Sequence, residues 1–116
     1  MTSLTNQQVY DNALYGIREQ KYQLSRGEFS PICRYRAYDG KRCAIGWSIP
    51  DNKYRPGWEG LNVTVVIRDL QSLFKNVDPR LMADLQHAHD KWLNSPEEFE
   101  GVMLSIACVH NLEYCE

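Results

Sequence analysis

The sequence predicts a small, mostly helical α+β domain in which about four helices pack with one β-hairpin. Apolar residues recur at helical spacing in four stretches of the chain, and one stretch alternates in polarity on both sides of an Asp-Gly turn signal. The 116 residues are 43% apolar and 24% charged, which is typical of one domain with its own core. We therefore expect residues 1–116 to form a single domain.

The first helix is expected from about Asn6 to Lys21. Thr5 precedes it as an N-cap and Gln8 stands three residues later, which is the spacing of a capping box. Its apolar residues follow the helical period and should form one buried stripe. They are Val9, Ala13, Leu14 and Ile17.

A hairpin is expected in the middle of the chain. Residues 32–37 alternate in polarity, the pair Asp39-Gly40 supplies a turn, and residues 42–47 form the return strand. Residues 50–61 follow as a loop that is rich in turn-forming and aromatic residues.

The register of this hairpin decides whether two thiols meet. A two-residue loop pairs Arg36 with Cys43 and puts Cys33 on the opposite face of the hairpin. A three-residue loop pairs Tyr35 with Cys43 and puts both thiols on one face. The sequence leaves both registers open.

Three more helices are expected in the second half. In residues 62–75 the Val-Thr-Val-Val-Ile run favours a strand locally. We nevertheless predict a helix there, because the apolar residues of the whole segment have helical spacing. The next two begin at Asp78-Pro79 and Ser95-Pro96, where a capping residue precedes a proline. The first of these two should bury Leu81, Met82, Leu85, Ala88, His89 and Trp92, and the second Phe99, Val102, Met103, Ile106, Ala107 and His110.

Two kinds of chemical site can be written from the cysteines and histidines. A zinc site would use Cys33, Cys43 and His89, but the chain lacks the closely spaced ligand pairs of structural zinc sites. An enzyme would use Cys43 as nucleophile with His89 and Asp51, yet no oxyanion-loop motif accompanies them. Because cysteine and histidine are common core residues, we expect no cofactor and no catalysis.

A basic and aromatic stretch is the stronger functional signal. Residues 34–55 hold six Lys and Arg against two Asp, whereas residues 97–116 hold five Glu and no Lys or Arg. Tyr, Trp and Arg anchor protein interfaces, and the same residues can bind nucleic acid. The formal net charge of −2 makes nucleic acid the weaker alternative. The expected binding residues are Tyr35, Arg36, Arg42, Trp47, Tyr54 and Trp58.

Part of the chain resembles a family of small bacteriophage and prophage proteins. The resemblance is carried by Cys33-Arg34-Tyr35-Arg36, by Gly40-Lys41-Arg42-Cys43-Ala44-Ile45-Gly46, by Ile49-Pro50-Asp51 with Tyr54 and Glu59-Gly60, and by a second block at Leu85-Gln86 and His89-Asp90. Trp47 departs from the pattern, which has a smaller residue or a cysteine there. No catalytic role comes with the family. The resemblance implies an accessory protein that binds and diverts a host protein in a bacterial cytoplasm.

The expected compartment agrees with that resemblance. The first residues lack the basic and apolar regions of a signal peptide, and free cysteines are typical of a reducing compartment. No apolar run approaches the roughly 18 residues that span a bilayer. We therefore expect a cytoplasmic protein with no membrane partner.

Overall fold

The computed structural model describes residues 3–22, 35, 41–59, 63–91 and 96–115. These ranges contain helices α1 (Asn6–Glu19), α2 (Val63–Asp69), α3 (Gln71–Phe74), α4 (Pro79–Lys91) and α5 (Pro96–Val109). Three short 3₁₀ turns lie between α1 and α2, at Ile45–Ser48, Asp51–Lys53 and Pro56–Trp58. No helix in the described part of the chain has the length and apolarity that a bilayer crossing requires.

The first helix forms as its local sequence predicts. Thr5 Oγ1 accepts a hydrogen bond from the Gln8 backbone N–H at 3.1 Å, and Gln8 Oε1 accepts one from the Thr5 N–H at 2.9 Å. This capping box satisfies two of the N–H groups that a helix start leaves without partners. The predicted apolar stripe is buried, and Tyr10 joins it with its hydroxyl donating to the Met103 carbonyl at 2.8 Å.

The helices of the second half are also confirmed, with one difference. The predicted helix over residues 62–75 is interrupted at Leu70, whose φ of −108° and ψ of 40° separate α2 from α3. Asp78 Oδ1 accepts from the Arg80 N–H at 2.9 Å, which caps α4 as predicted. The side chain of His89, and Trp92 and Ser95 entirely, lie outside the described residues.

The predicted hairpin is wrong where the structure describes it, and with it the α+β class. Residues 42–43 of the expected return strand are irregular, and Ile45–Ser48 forms a 3₁₀ turn. The described ranges contain helices and no strand. Residues 32–34 and 36–40, the rest of the expected hairpin, lie outside the described part, so neither thiol register is tested.

Long-range hydrogen bonds from side-chain amides explain why residues 42–47 do not form the predicted strand. Gln20 forms two hydrogen bonds with the backbone of Arg42. Gln20 Nε2 donates to the Arg42 carbonyl at 2.7 Å, and the Arg42 N–H donates to Gln20 Oε1 at 2.9 Å. Gln86 Oε1 accepts from the Ile45 N–H at 3.1 Å. Since a backbone group needs only one good partner, these bonds replace the ladder that a strand would form.

Two glycines permit close packing around the 3₁₀ turn Ile45–Ser48. A Cβ atom on Gly46 would overlap the backbone carbonyl of Tyr35, and one on Gly16 of α1 would overlap the ring of Trp47. The backbone of α1 therefore lies directly against the Trp47 indole. This contact joins α1 to the turn.

Gly16→Ala should consequently destabilise the protein. In an ordinary helix interior the same change raises stability by about 0.5–1 kcal/mol, because glycine is a poor helix former. Here the added methyl group displaces the Trp47 ring, and we expect a net loss of about 1–3 kcal/mol. Urea unfolding followed by circular dichroism measures the sign, and a raised midpoint would contradict the packing described.

A charged cluster ties the two ends of the fold together. The Glu100 carboxylate of α5 accepts hydrogen bonds from Arg18 Nε at 2.9 Å, from the Tyr22 hydroxyl at 3.1 Å and from the Tyr114 hydroxyl at 2.6 Å. The Arg18 guanidinium also lies over the Tyr114 ring, 5.6 Å from its centroid. The hydrogen bonds from Arg18 hold the pKa of Glu100 below its ordinary value.

This cluster should make stability depend on acid pH. Because the pKa of Glu100 is lower in the folded state than in the unfolded state, its stabilisation is complete above the unfolded value of about 4.3 and is lost as the pH falls through the folded value. Glu100→Gln should cost about 2 kcal/mol at pH 7 and less at pH 3. Urea midpoints at both pH values test this; an equal cost at both would show that the charge of Glu100 is unimportant.

Candidate binding groove

A groove of about 590 Å³ opens between the loop of residues 52–58 and the α2–α3 junction. Its volume is within the range of ordinary ligand sites. We call it the basic groove. It is lined by Asn52, Lys53, Tyr54, Arg55, Trp58, Arg68, Asp69, Leu70, Gln71, Ser72 and Leu73.

The loop wall of the basic groove is shaped by its own turn chemistry. Pro56 begins a 3₁₀ turn in which the Trp58 N–H donates to the Arg55 carbonyl at 3.0 Å. The next residue, Glu59, donates its N–H to the Pro56 carbonyl at 3.1 Å. Proline fixes its own φ, so it favours this turn locally.

The two aromatic side chains of the groove, Tyr54 and Trp58, are fixed by hydrogen bonds to carboxylates and by contact with each other. Trp58 is 3% exposed, and its Nε1–H donates to Asp69 Oδ2 at 2.7 Å, which joins the loop to α2. The Tyr54 ring meets the Trp58 ring edge-on at 6.3 Å, and its hydroxyl donates to Glu59. The other oxygen of Glu59 accepts from the Tyr35 N–H at 2.8 Å. The groove is therefore formed before any partner arrives.

The charge of the groove is positive. Lys53, Arg55 and Arg68 line it and are exposed, and none of them forms an ion pair with another residue that the structure describes. Asp69 is the acidic residue of the lining, and its carboxylate is occupied by the Trp58 indole. An anionic group in the groove would thus meet three cations that form no ion pair within the described ranges.

The sequence-predicted binding residues fall into separate places. Tyr54 and Trp58 line the basic groove, but Trp58 is buried, as is Tyr35 at 4% exposure. These two buried rings support the surface instead of offering free contact area. Arg36 lies outside the described residues.

Arg42 and Trp47 form a second arrangement beside α1. The Arg42 guanidinium lies 5.1 Å from the centroid of the half-buried Trp47 ring, and its Nη2 is 3.3 Å from Asp51 Oδ1. Neither Arg42 nor Trp47 belongs to the lining of the groove. The structure therefore does not gather the six predicted residues into one contact face.

The residues predicted for catalysis or zinc binding do not lie together, as far as their side chains are within the described residues. Cys43 is fully buried, whereas the Asp51 side chain is 81% exposed and faces Arg42. Cys33 and the side chain of His89 lie outside the described residues. Within the described ranges no three acidic, histidine or cysteine side chains converge on a point that could hold a metal. The burial of Cys43 is that of a core thiol.

Sequence reasoning missed the helical half of the groove. Lys53 and Arg55 belong to the basic stretch that the sequence shows, but Arg68 and Asp69 stand on a predicted helix far along the chain. The available signal was weak: both are polar residues outside the apolar stripe of that helix.

The chain was compared with protein-family models, with curated proteins and with solved structures, and no match was found.

Proposed function

We propose that this protein is a non-catalytic binding module that contacts a bacterial host protein through the basic groove. The observation that carries the proposal is a preformed groove with three exposed cations, Lys53, Arg55 and Arg68, that have no ion-pair partner within the described residues. A rigid surface of this kind loses little conformational entropy on binding. Arginine and tyrosine are among the residues that contribute most to protein interfaces.

The groove suits a protein partner better than nucleic acid. Binding of single strands uses exposed aromatic rings on which bases stack, together with an extended basic track. Here the Trp58 ring is buried and the Tyr54 hydroxyl is held by Glu59, while the chain as a whole carries a net charge of −2. Three exposed cations, Lys53, Arg55 and Arg68, lie together in the groove.

A host protein as partner follows from the resemblance to phage and prophage accessory proteins. Such a protein acts by occupying a surface of a host factor and diverting it, for which a fixed contact surface is sufficient. The proposed site of action is the bacterial cytoplasm. The buried thiol of Cys43 supports binding over catalysis, because a nucleophile must be reached by its substrate.

Capture from a bacterial lysate tests the proposal when matched variants are compared. Arg55→Ala and Arg68→Ala remove groove cations, whereas Arg80→Ala removes an exposed cation at the start of α4, outside the groove. The wild type and Arg80→Ala should retain the same host protein, and each groove variant should retain at least about fivefold less.

The folding control for this experiment is direct. All three substitutions are at exposed side chains. The free energy of unfolding of each variant, measured in urea, should therefore differ from that of the wild type by no more than about 0.5 kcal/mol. Equal capture by the groove variants and the wild type would exclude the basic groove as the contact surface.

A further inference from the structure

We infer that the basic groove recognises an acidic segment of its partner, a short stretch of chain rich in Glu or Asp. This inference rests on the proposed function and adds the chemistry of the partner to it. It is carried by the placement of the cations in the two walls and by Asp69, which supplies the one carboxylate of the lining.

The cations face the groove from both sides. Lys53 and Arg55 belong to the loop wall, and Arg68 belongs to the end of α2. A chain segment lying in the groove therefore passes between cations of two different elements. An arginine guanidinium can donate two parallel hydrogen bonds to one carboxylate, which gives both attraction and orientation.

Uncharged polar groups complete the lining. Asn52 lies in the loop wall, and Gln71 and Ser72 lie in α3. Their amide and hydroxyl groups can donate to and accept from the backbone of a bound segment. A peptide offers such backbone groups at every residue, in addition to its carboxylates, so both parts of the lining are used.

Asp69 supplies the most specific consequence. Its carboxylate reduces the positive potential of the groove, yet it also accepts the hydrogen bond from Trp58 Nε1. Asp69→Asn keeps an oxygen that can accept that bond and removes the negative charge. An acidic ligand should therefore bind more tightly to this variant, whereas a cationic or neutral ligand should not.

Fluorescence anisotropy with a labelled hexaglutamate peptide tests the inference. At low salt the wild type should bind it, and a labelled hexaglutamine peptide should bind at least about tenfold more weakly. Asp69→Asn should tighten hexaglutamate binding at least about threefold, and Arg55→Ala and Arg68→Ala should each weaken it by a similar factor. Arg80→Ala should leave it unchanged, and raising the salt from about 0.05 to about 0.5 M should weaken it strongly.

Three results would overturn the inference. The first is hexaglutamine binding as tightly as hexaglutamate, and the second is an Asp69→Asn variant that binds hexaglutamate no more tightly than the wild type. The third is tighter binding of a labelled single-stranded oligothymidylate of equal length, which would identify a nucleic-acid site. Should hexaglutamate fail while capture of a host protein still depends on Arg55, the proposed function stands and the acidic-segment inference alone is wrong.

Discussion

Replacing Trp58 with alanine should lower the free energy of unfolding by about 3–5 kcal/mol. The ring is 3% exposed and is part of the core, and its Nε1–H is bonded to Asp69 at 2.7 Å. Truncation removes buried apolar area and leaves a cavity beneath the basic groove. Urea unfolding followed by circular dichroism measures the loss without depending on tryptophan fluorescence.

Trp58→Phe separates the two contributions of this residue. It keeps most of the buried ring but loses the hydrogen bond to Asp69, whose carboxylate is exposed and can be rehydrated. The expected loss is about 1–2 kcal/mol. An alanine variant as stable as the wild type would mean that Trp58 is a surface residue, as the sequence alone suggested.

Leu85→Ala should destabilise the protein by about 2–5 kcal/mol. Leu85 lies in the middle of α4 with no exposed surface, within the core that α4 shares with the other helices. The cavity left by its side chain cannot be filled by water at low cost, because its neighbours are apolar.

A leucine on the next helix provides the matched control. Leu104 of α5 is 47% exposed, so Leu104→Ala removes the same atoms from a position that is partly in water. Its effect should be about 1 kcal/mol or less, since exposed positions contribute little. Similar losses in the two variants would show that the burial assigned to α4 is wrong.

The helices were predictable because their determinants are local. Each capping hydrogen bond joins residues no more than three apart in the sequence. This holds for the capping box of Thr5 and Gln8 and for the Asp78 cap of α4. Apolar stripes read at the helical period identified the buried side of α1 and α4. None of these features needs knowledge of a distant part of the chain.

The segment after residue 40 could not be predicted in this way. Its backbone is held by Gln20, which is 22 residues away from Arg42, and by Gln86, which is 41 residues away from Ile45. An alternating pattern of polarity beside an Asp-Gly turn predicts a strand whenever such partners are not considered. The polarity of residues 42–47 instead reflects contacts with α1 and α4.

The groove was half predictable for the same reason. Composition alone drew attention to the loop that carries Lys53, Tyr54 and Arg55. The opposite wall is formed by residues of α2 and α3. These helices lie against the loop because of the tertiary fold, in which Trp58 Nε1–H donates to Asp69, and the local sequence does not indicate this contact. Burial of Trp58 also reverses its expected role, since large aromatic residues serve both cores and interfaces.

The central claim is that the basic groove is the contact surface and takes an acidic segment. Two-dimensional ¹H–¹⁵N spectra recorded during a titration with hexaglutamate test it within one molecule, because Trp58 lies in the groove and Trp47 lies outside it. We expect the Trp58 indole signal and the backbone amides of residues 52–55, 57–58 and 68–73 to move, while the Trp47 indole signal stays in place. The claim would be contradicted if the signals of Trp47 and α1 shifted while those of the groove residues did not. It would also be contradicted if no signal shifted.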